Sequence, residues 1–198
     1  MAFTLARRQL SGVIAAGLAL AFAPLSTLTA QSTKGLFLGI QYAGSSLDAK
    51  SAAENLDFGG GFGLHAGIGL NNTVSVLANF DRSVLSGRSG TTSVTVSQYD
   101  ALLRLNLFPG AGSPLRVFAT GGATARSANA GRDFEEIAPT AGGGVQLFLS
   151  PQLAVNGTAL WTFGKLTQAA QLSNSTVGQY ETTQTRIQVG GSLYLFGH

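Results

Sequence analysis

Between Tyr99 and Arg126 the chain alternates. Tyr99, Ala101, Leu103, Leu105 and Leu107 take every second position, with Asp100, Leu102, Arg104 and Asn106 between them. The turn-rich segment Pro109-Gly110-Ala111-Gly112-Ser113-Pro114 follows. The period then resumes, with Leu115, Val117, Ala119, Gly121, Ala123 and Ala125 set against Arg116, Phe118, Thr120, Gly122, Thr124 and Arg126. A period of two sends successive side chains to opposite faces of a strand. The stretch therefore predicts a hairpin with one apolar and one polar face. Each arm is about ten residues long, the span a tilted strand needs to cross a bilayer. A soluble antiparallel sheet with one wet face would show the same alternation, so the rest of the chain must decide.

The same pattern recurs at 35–43, 61–70, 74–81, 139–149, 153–163 and 186–195, which predicts eight strands in all. Three connections are short, near Asn71, Pro109 and Pro151, and four are long and polar: 44–57, 83–92, 127–137 and 167–181. Short turns at one end and long loops at the other are the pattern of bacterial outer-membrane barrels, with an even strand number and both termini in the periplasm. The prolines after residue 30 are read as lying in turns or at strand starts, where no ladder hydrogen bond is lost. Near Ser97 the apolar parity changes from Val94 and Val96 to Tyr99, which predicts either a bulge or a strand running on past the membrane.

Charge follows the parity. Asp81, Asp100, Arg104, Arg116, Arg126 and Arg186 all fall on the polar face, as they must if the other face meets lipid. Arg82 and Lys165 stand in the apolar register at strand ends, where a long side chain reaches the interface. Tyr42, Phe80, Tyr99, Trp161 and Phe163 gather on the apolar face toward the long-loop ends and predict an aromatic girdle. Asp81 and Asp100 fall at similar depths on neighbouring strands. Two close carboxylates repel unless a cation sits between them. Arg104, with Arg186 or Arg126, is expected to neutralise them in a lumenal network that also contains His65.

The N-terminus changes the picture next. Arg7 and Arg8 precede an apolar run at 12–23, Pro24 breaks it, and Leu28-Thr29-Ala30 ends on a small residue. Residues 1–30 read as a secretory signal peptide and 31–198 as an outer-membrane β-barrel domain. Removing the two arginines takes the formal charge from +3 to about +1, too little to mark a nucleic-acid surface. The chain has no cysteine, which excludes disulfides and thiolate metal sites.

With signal peptide, strand number and loop order in place, the chain resembles the small outer-membrane β-barrels of the OmpX and OmpA-transmembrane-domain type, within the porin family. The resemblance covers residues 34–198 and includes the ending Tyr194-Leu195-Phe196. It implies an all-β, eight-stranded, antiparallel up-and-down barrel in the bacterial outer membrane. Members end in an aromatic residue read by the barrel-insertion machinery, which implies Tyr194 and Phe196 as the insertion signal. The sequence departs from the pattern there: Gly197 and His198 follow Phe196, and the aliphatic series runs through Leu195.

Candidate chemistry is sparse. Gly59-Gly60-Gly61-Phe62-Gly63 leads into a period-two strand, not a helix, so it lacks the context of a nucleotide-binding loop. A lipid A-modifying enzyme needs an activated hydroxyl with His and a carboxylate in reach; the two histidines are His65, on the polar face, and His198. No cofactor, metal site or catalytic residue is assigned. The expected role is a non-catalytic, monomeric barrel that supports envelope integrity or surface contact through segments 45–57 and 129–137. Its expected partners are outer-membrane lipid, lipopolysaccharide and the insertion machinery. A narrow pore, a lipid A-modifying barrel and a soluble lipocalin-like binder with its apolar face inside are the alternatives.

Overall fold

The computed structural model describes residues 33–49, 56–87, 93–108, 113–129, 133–168 and 179–195. Residues 1–30, read from the sequence as a signal peptide, and Phe196 lie outside them. The strands are β1 (Gly35–Ala49), β2 (Leu56–Gly69), β3 (Val74–Gly87), β4 (Ser93–Asn106), β5 (Leu115–Asn129), β6 (Asp133–Phe148), β7 (Leu153–Gln168) and β8 (Gln179–Tyr194). Each pairs antiparallel with the next, and β8 returns to β1 to close a barrel. Closure leaves no open sheet edge and gives the backbone the internal hydrogen bonds that a bilayer demands.

The stagger follows from the register. Starting at Phe37, the pairing runs through Gly67, Leu77, Leu102, Gly122, Thr140, Thr162 and Gln184. It re-enters β1 at Leu47, ten residues on. Such a stagger requires strands tilted by about 35–45° to the barrel axis.

The apolar parity faces outward. Ile40 is 69% exposed, Leu64 58% and Tyr99 61%, whereas Asp81, Asp100 and Arg186 are buried. A soluble binder with its apolar face inside has the opposite arrangement, so that alternative is overturned.

Two sequence expectations are corrected, and a choice between two alternatives is decided. The strands extend well into the segments read as long polar loops, and the connection between β5 and β6 is only residues 130–132, shorter than the 107–114 turn. The alternation of loop lengths is therefore weaker than the sequence suggests. Four strand pairs instead carry the wall beyond the apolar band. Around Ser97 there is no bulge, and the other alternative holds: β4 runs on unbroken past the apolar band. Val94, Val96, Gln98 and Asp100 all point inward in one unbroken phase, and the register irregularities lie at Ser45/Leu47 and Asp57/Gly60. The apparent parity switch marks the level where lipid outside gives way to water and apolar side chains fill the inside. Finally, Pro139 lies within β6, not at a strand start. Lacking an N–H, it sits in a stretch, residues 136–139, that has no pairing with β7; pairing resumes at Thr140 and Thr162.

Candidate functional site in the filled lumen

Parity alone sends Asp81 from β3, Asp100 from β4, Thr124 from β5 and Arg186 from β8 into the lumen. Strands β4 and β8 face each other across an eight-stranded cylinder, so Arg186 spans its width. Its Nη1 donates to Asp81 Oδ2 at 3.0 Å and to Asp100 Oδ2 at 2.9 Å, and its Nη2 donates to Asp100 Oδ1 at 2.8 Å. One guanidinium serves two carboxylates, and neutral donors supply the rest. Gln41 and Gln188 donate to Asp81 at 2.7 and 2.6 Å, and Thr124 and Asn79 donate to Asp100 at 2.6 and 3.3 Å. Buried charge is tolerated only with this degree of pairing and hydrogen bonding. The close approach also explains Gly63, where a Cβ would strike the Asp81 carboxylate.

Asp81 and Asp100 thus share Arg186 in the lumen. Arg104 is not part of this cluster. Its guanidinium lies over the Phe118 ring, 4.0 Å from the centroid, and it makes no ion pair among the described residues. Arg126 joins a second cluster. Its Nε donates to Glu136 Oε2 at 2.7 Å and its Nη1 to Gln184 Oε1 at 3.0 Å, while Nη2 reaches Thr182. Glu136, read from the sequence as a loop residue, keeps the inward phase of Thr140 and Gly142. Extending that phase back past Pro139 would have found it.

His65 faces the lumen as expected. Gln41 turns its amide nitrogen to Asp81, so its oxygen faces His65 Nδ1 at 3.0 Å and the imidazole carries its proton there. Nε2 then accepts from Ser192 Oγ at 2.7 Å, and Ser192 accepts from Asn156 at 2.5 Å. A hydroxyl touching an imidazole is the contact of a nucleophile and its base. Both groups are nevertheless buried within the barrel, and a Cβ at Gly39 would already collide with the imidazole. Among the described residues no group of His, Asp and Glu side chains is arranged to hold a metal ion.

Apolar layers close the lumen on either side of this polar centre. Toward the turn end, Tyr194 stacks on Phe37 and Phe148 with ring centroids 5.0 and 5.3 Å apart, and Leu77, Leu102, Ala154 and Leu160 complete the layer. The Tyr194 hydroxyl bonds to the Gln146 side chain. Tyr194, expected to serve in the insertion signal, thus turns inward. Toward the other end, Leu47, Leu85, Val94, Val96 and Ala128 form a second layer. Between them a cavity of about 20 Å³ lies beside Arg104, His65, Asn79 and Asn156, room for about one water molecule.

On the outer wall, Tyr42, Phe80, Tyr99, Trp161 and Phe163 all take the outward face. Phe62, absent from the sequence-based girdle, is 76% exposed and meets Tyr42 edge-on at 5.7 Å, and Phe80 lies 4.9 Å from Tyr99. Beyond these rings polar residues enter the outward positions, with Ser46 and Asp48 on β1, Thr95 and Ser97 on β4, and Lys165 opposite Glu181 at 3.9 Å, although Val84 and Phe58 stay apolar and exposed. The aromatic residues thus mark the upper border of the apolar band, where such rings prefer to sit.

Known proteins share this architecture. Over 84% of its length the chain superposes on 99% of the outer membrane protein OprG from Pseudomonas aeruginosa, with a TM-score of 0.60 and 11% identity. Neisserial surface protein A matches over 82% of this chain and 98% of its own, with a TM-score of 0.59 and 14% identity. The attachment invasion locus protein Ail of Yersinia pestis, in complex with the heparin analogue sucrose octasulfate, matches over 81% and 98%, with a TM-score of 0.51 and 16% identity. At these identities the likeness is one of fold. No curated protein sequence is a significant match to this chain. The family model for the outer membrane protein beta-barrel domain matches residues 15–194, and the chain belongs to that family of bacterial outer-membrane barrels.

Proposed function

We propose that the chain is a closed, non-catalytic, non-conducting barrel that supports the envelope and meets the cell's surroundings through its four outer strand pairs. One observation carries this reading: the lumen is filled at three successive levels by an aromatic layer, a charged layer and an aliphatic layer. A filled lumen offers neither a solute path nor a substrate route to His65 and Ser192. The surfaces that remain are the lipid-facing wall and the strand pairs above the aromatic border.

Complementation tests it. A strain lacking the protein is supplied with the intact chain, or with a barrel whose four outer strand pairs are cut back toward the aromatic border and closed by short Gly-Ser turns. The intact chain should restore resistance to detergent and attachment to surfaces, and the trimmed barrel should insert yet restore neither. Full restoration by the trimmed barrel would refute the role given to the outer strand pairs. The pore reading and the lipid A enzyme reading both require an opened lumen.

A further inference from the structure

Arg82 stands on β3 in the outward phase, exposed, two positions beyond Phe80. Its register neighbours are Phe62 on β2 and Ser97 on β4. It has no carboxylate partner among the described residues. Lys165, the other outward cation above the apolar band among the described residues, is paired with Glu181. Below Arg82 the wall is dented. Ala66 and Ala78 sit side by side in register, flanked by Leu38, Leu64, Phe80 and Tyr99. These residues line one end of a shallow, open groove of about 820 Å³ that runs on to Leu153 and Leu193; its walls are almost wholly apolar, and Arg82 stands above it, two positions past Phe80.

A cation on the lipid-facing wall costs about 2–4 kcal/mol at the midplane and about 0–1 near the interface. At the aromatic border Arg82 escapes most of that penalty, but among the described residues it has no counter-charge. The anions available at that level are lipid phosphates, which a guanidinium grips through paired N–H donors. We infer that Arg82 and the groove beneath it form a binding site for a phosphorylated glycolipid of the outer leaflet, the phosphate on Arg82 and an acyl chain along Ala66 and Ala78. The site rests on the placement of the chain in the outer membrane and is independent of whether the lumen conducts.

The test uses the full chain refolded in detergent, with folding confirmed by heat-modifiable gel migration. Native mass spectrometry then follows binding of bis-phosphorylated lipid A, dephosphorylated lipid A and inorganic phosphate. Lipid A should bind, the dephosphorylated form should bind weakly, and Arg82→Gln should weaken lipid A binding by about tenfold or more. Arg82→Lys should fall between, Ala78→Leu should weaken binding by filling the groove, and Lys165→Gln should leave it unchanged. Equal affinity for the dephosphorylated lipid, or full binding by Arg82→Gln, would overturn the proposal. So would displacement of lipid A by inorganic phosphate together with an unaffected Ala78→Leu variant, which would reduce the site to a bare phosphate contact.

Discussion

Arg186 on β8 and Asp100 on β4 meet across the full width of the barrel, two guanidinium nitrogens on two carboxylate oxygens at 2.9 and 2.8 Å. Those strands lie four apart in sequence order and opposite in space, so this pair ties the two halves of the wall together. Asp81 on β3 shares the same guanidinium.

Removing Arg186 leaves two buried carboxylates facing each other. Arg186→Gln should lower stability by about 3–5 kcal/mol, the cost of stripping one member from a buried ion pair. Urea unfolding in detergent measures it. Replacing Asp81 and Asp100 together by Asn in the same background should recover much of the loss, because the coupled groups act as one unit.

Arg104 behaves differently because among the described residues it has no acidic partner to strand. Arg104→Met keeps the volume beside Phe118 and removes a buried cation, at the expense of a cation–ring contact of about 0.5–2 kcal/mol. Its unfolding free energy should stay within about 1 kcal/mol of the parent or exceed it. A loss as large as that of Arg186→Gln would show that Arg104 is held by a charge after all.

At the turn end, Phe37→Ala should cost about 3–5 kcal/mol as a large-to-small change in a packed layer. Tyr194→Phe removes only the hydroxyl bonded to Gln146 and should cost about 1 kcal/mol. The ratio of the two, read from the same urea curves, checks that this end is held by ring packing more than by the phenol hydrogen bond.

The interrupted ladder at Pro139 gives a stabilising prediction. Pro139→Val restores an N–H and suits an exposed strand position. Backbone amide exchange in the facing β7 stretch, residues 163–166, should slow in this variant, and the barrel should gain stability. Unchanged exchange would mean that the wall opens there for a reason other than proline.

Much of this fold was legible because alternation has a physical cause on both sides of the wall. From Leu36 to Tyr42 and from Tyr99 to Leu107 lipid outside and a mostly polar interior, interrupted by Phe37 and Leu102, keep one period, and those residues point as the sequence implies. Above Tyr99 the outside is wet while Val94 and Val96 pack inside, so the period keeps its phase and loses its usual sign. That reversal disguises the extensions of β3 and β4 as loops; Glu136 keeps the usual sign, inward beside outward Ile137, and is hidden because Pro139 reads as a strand start. The choice among Arg104, Arg126 and Arg186 was not legible either. Spacing fixes which face a residue takes, but which cation crosses the lumen depends on the ten-residue stagger between distant strands. Arg104 is near Asp100 along one strand, yet it points one turn-ward layer away, onto Phe118.

Electrical recording of the full chain in planar bilayers tests the closed lumen most directly. The account predicts no steady unitary conductance from the parent protein. It also predicts that conductance appears only when all three layers are breached together, as in Phe37→Ala, Arg186→Gln and Val96→Ala combined. A stable ohmic channel from the unmodified chain would contradict it.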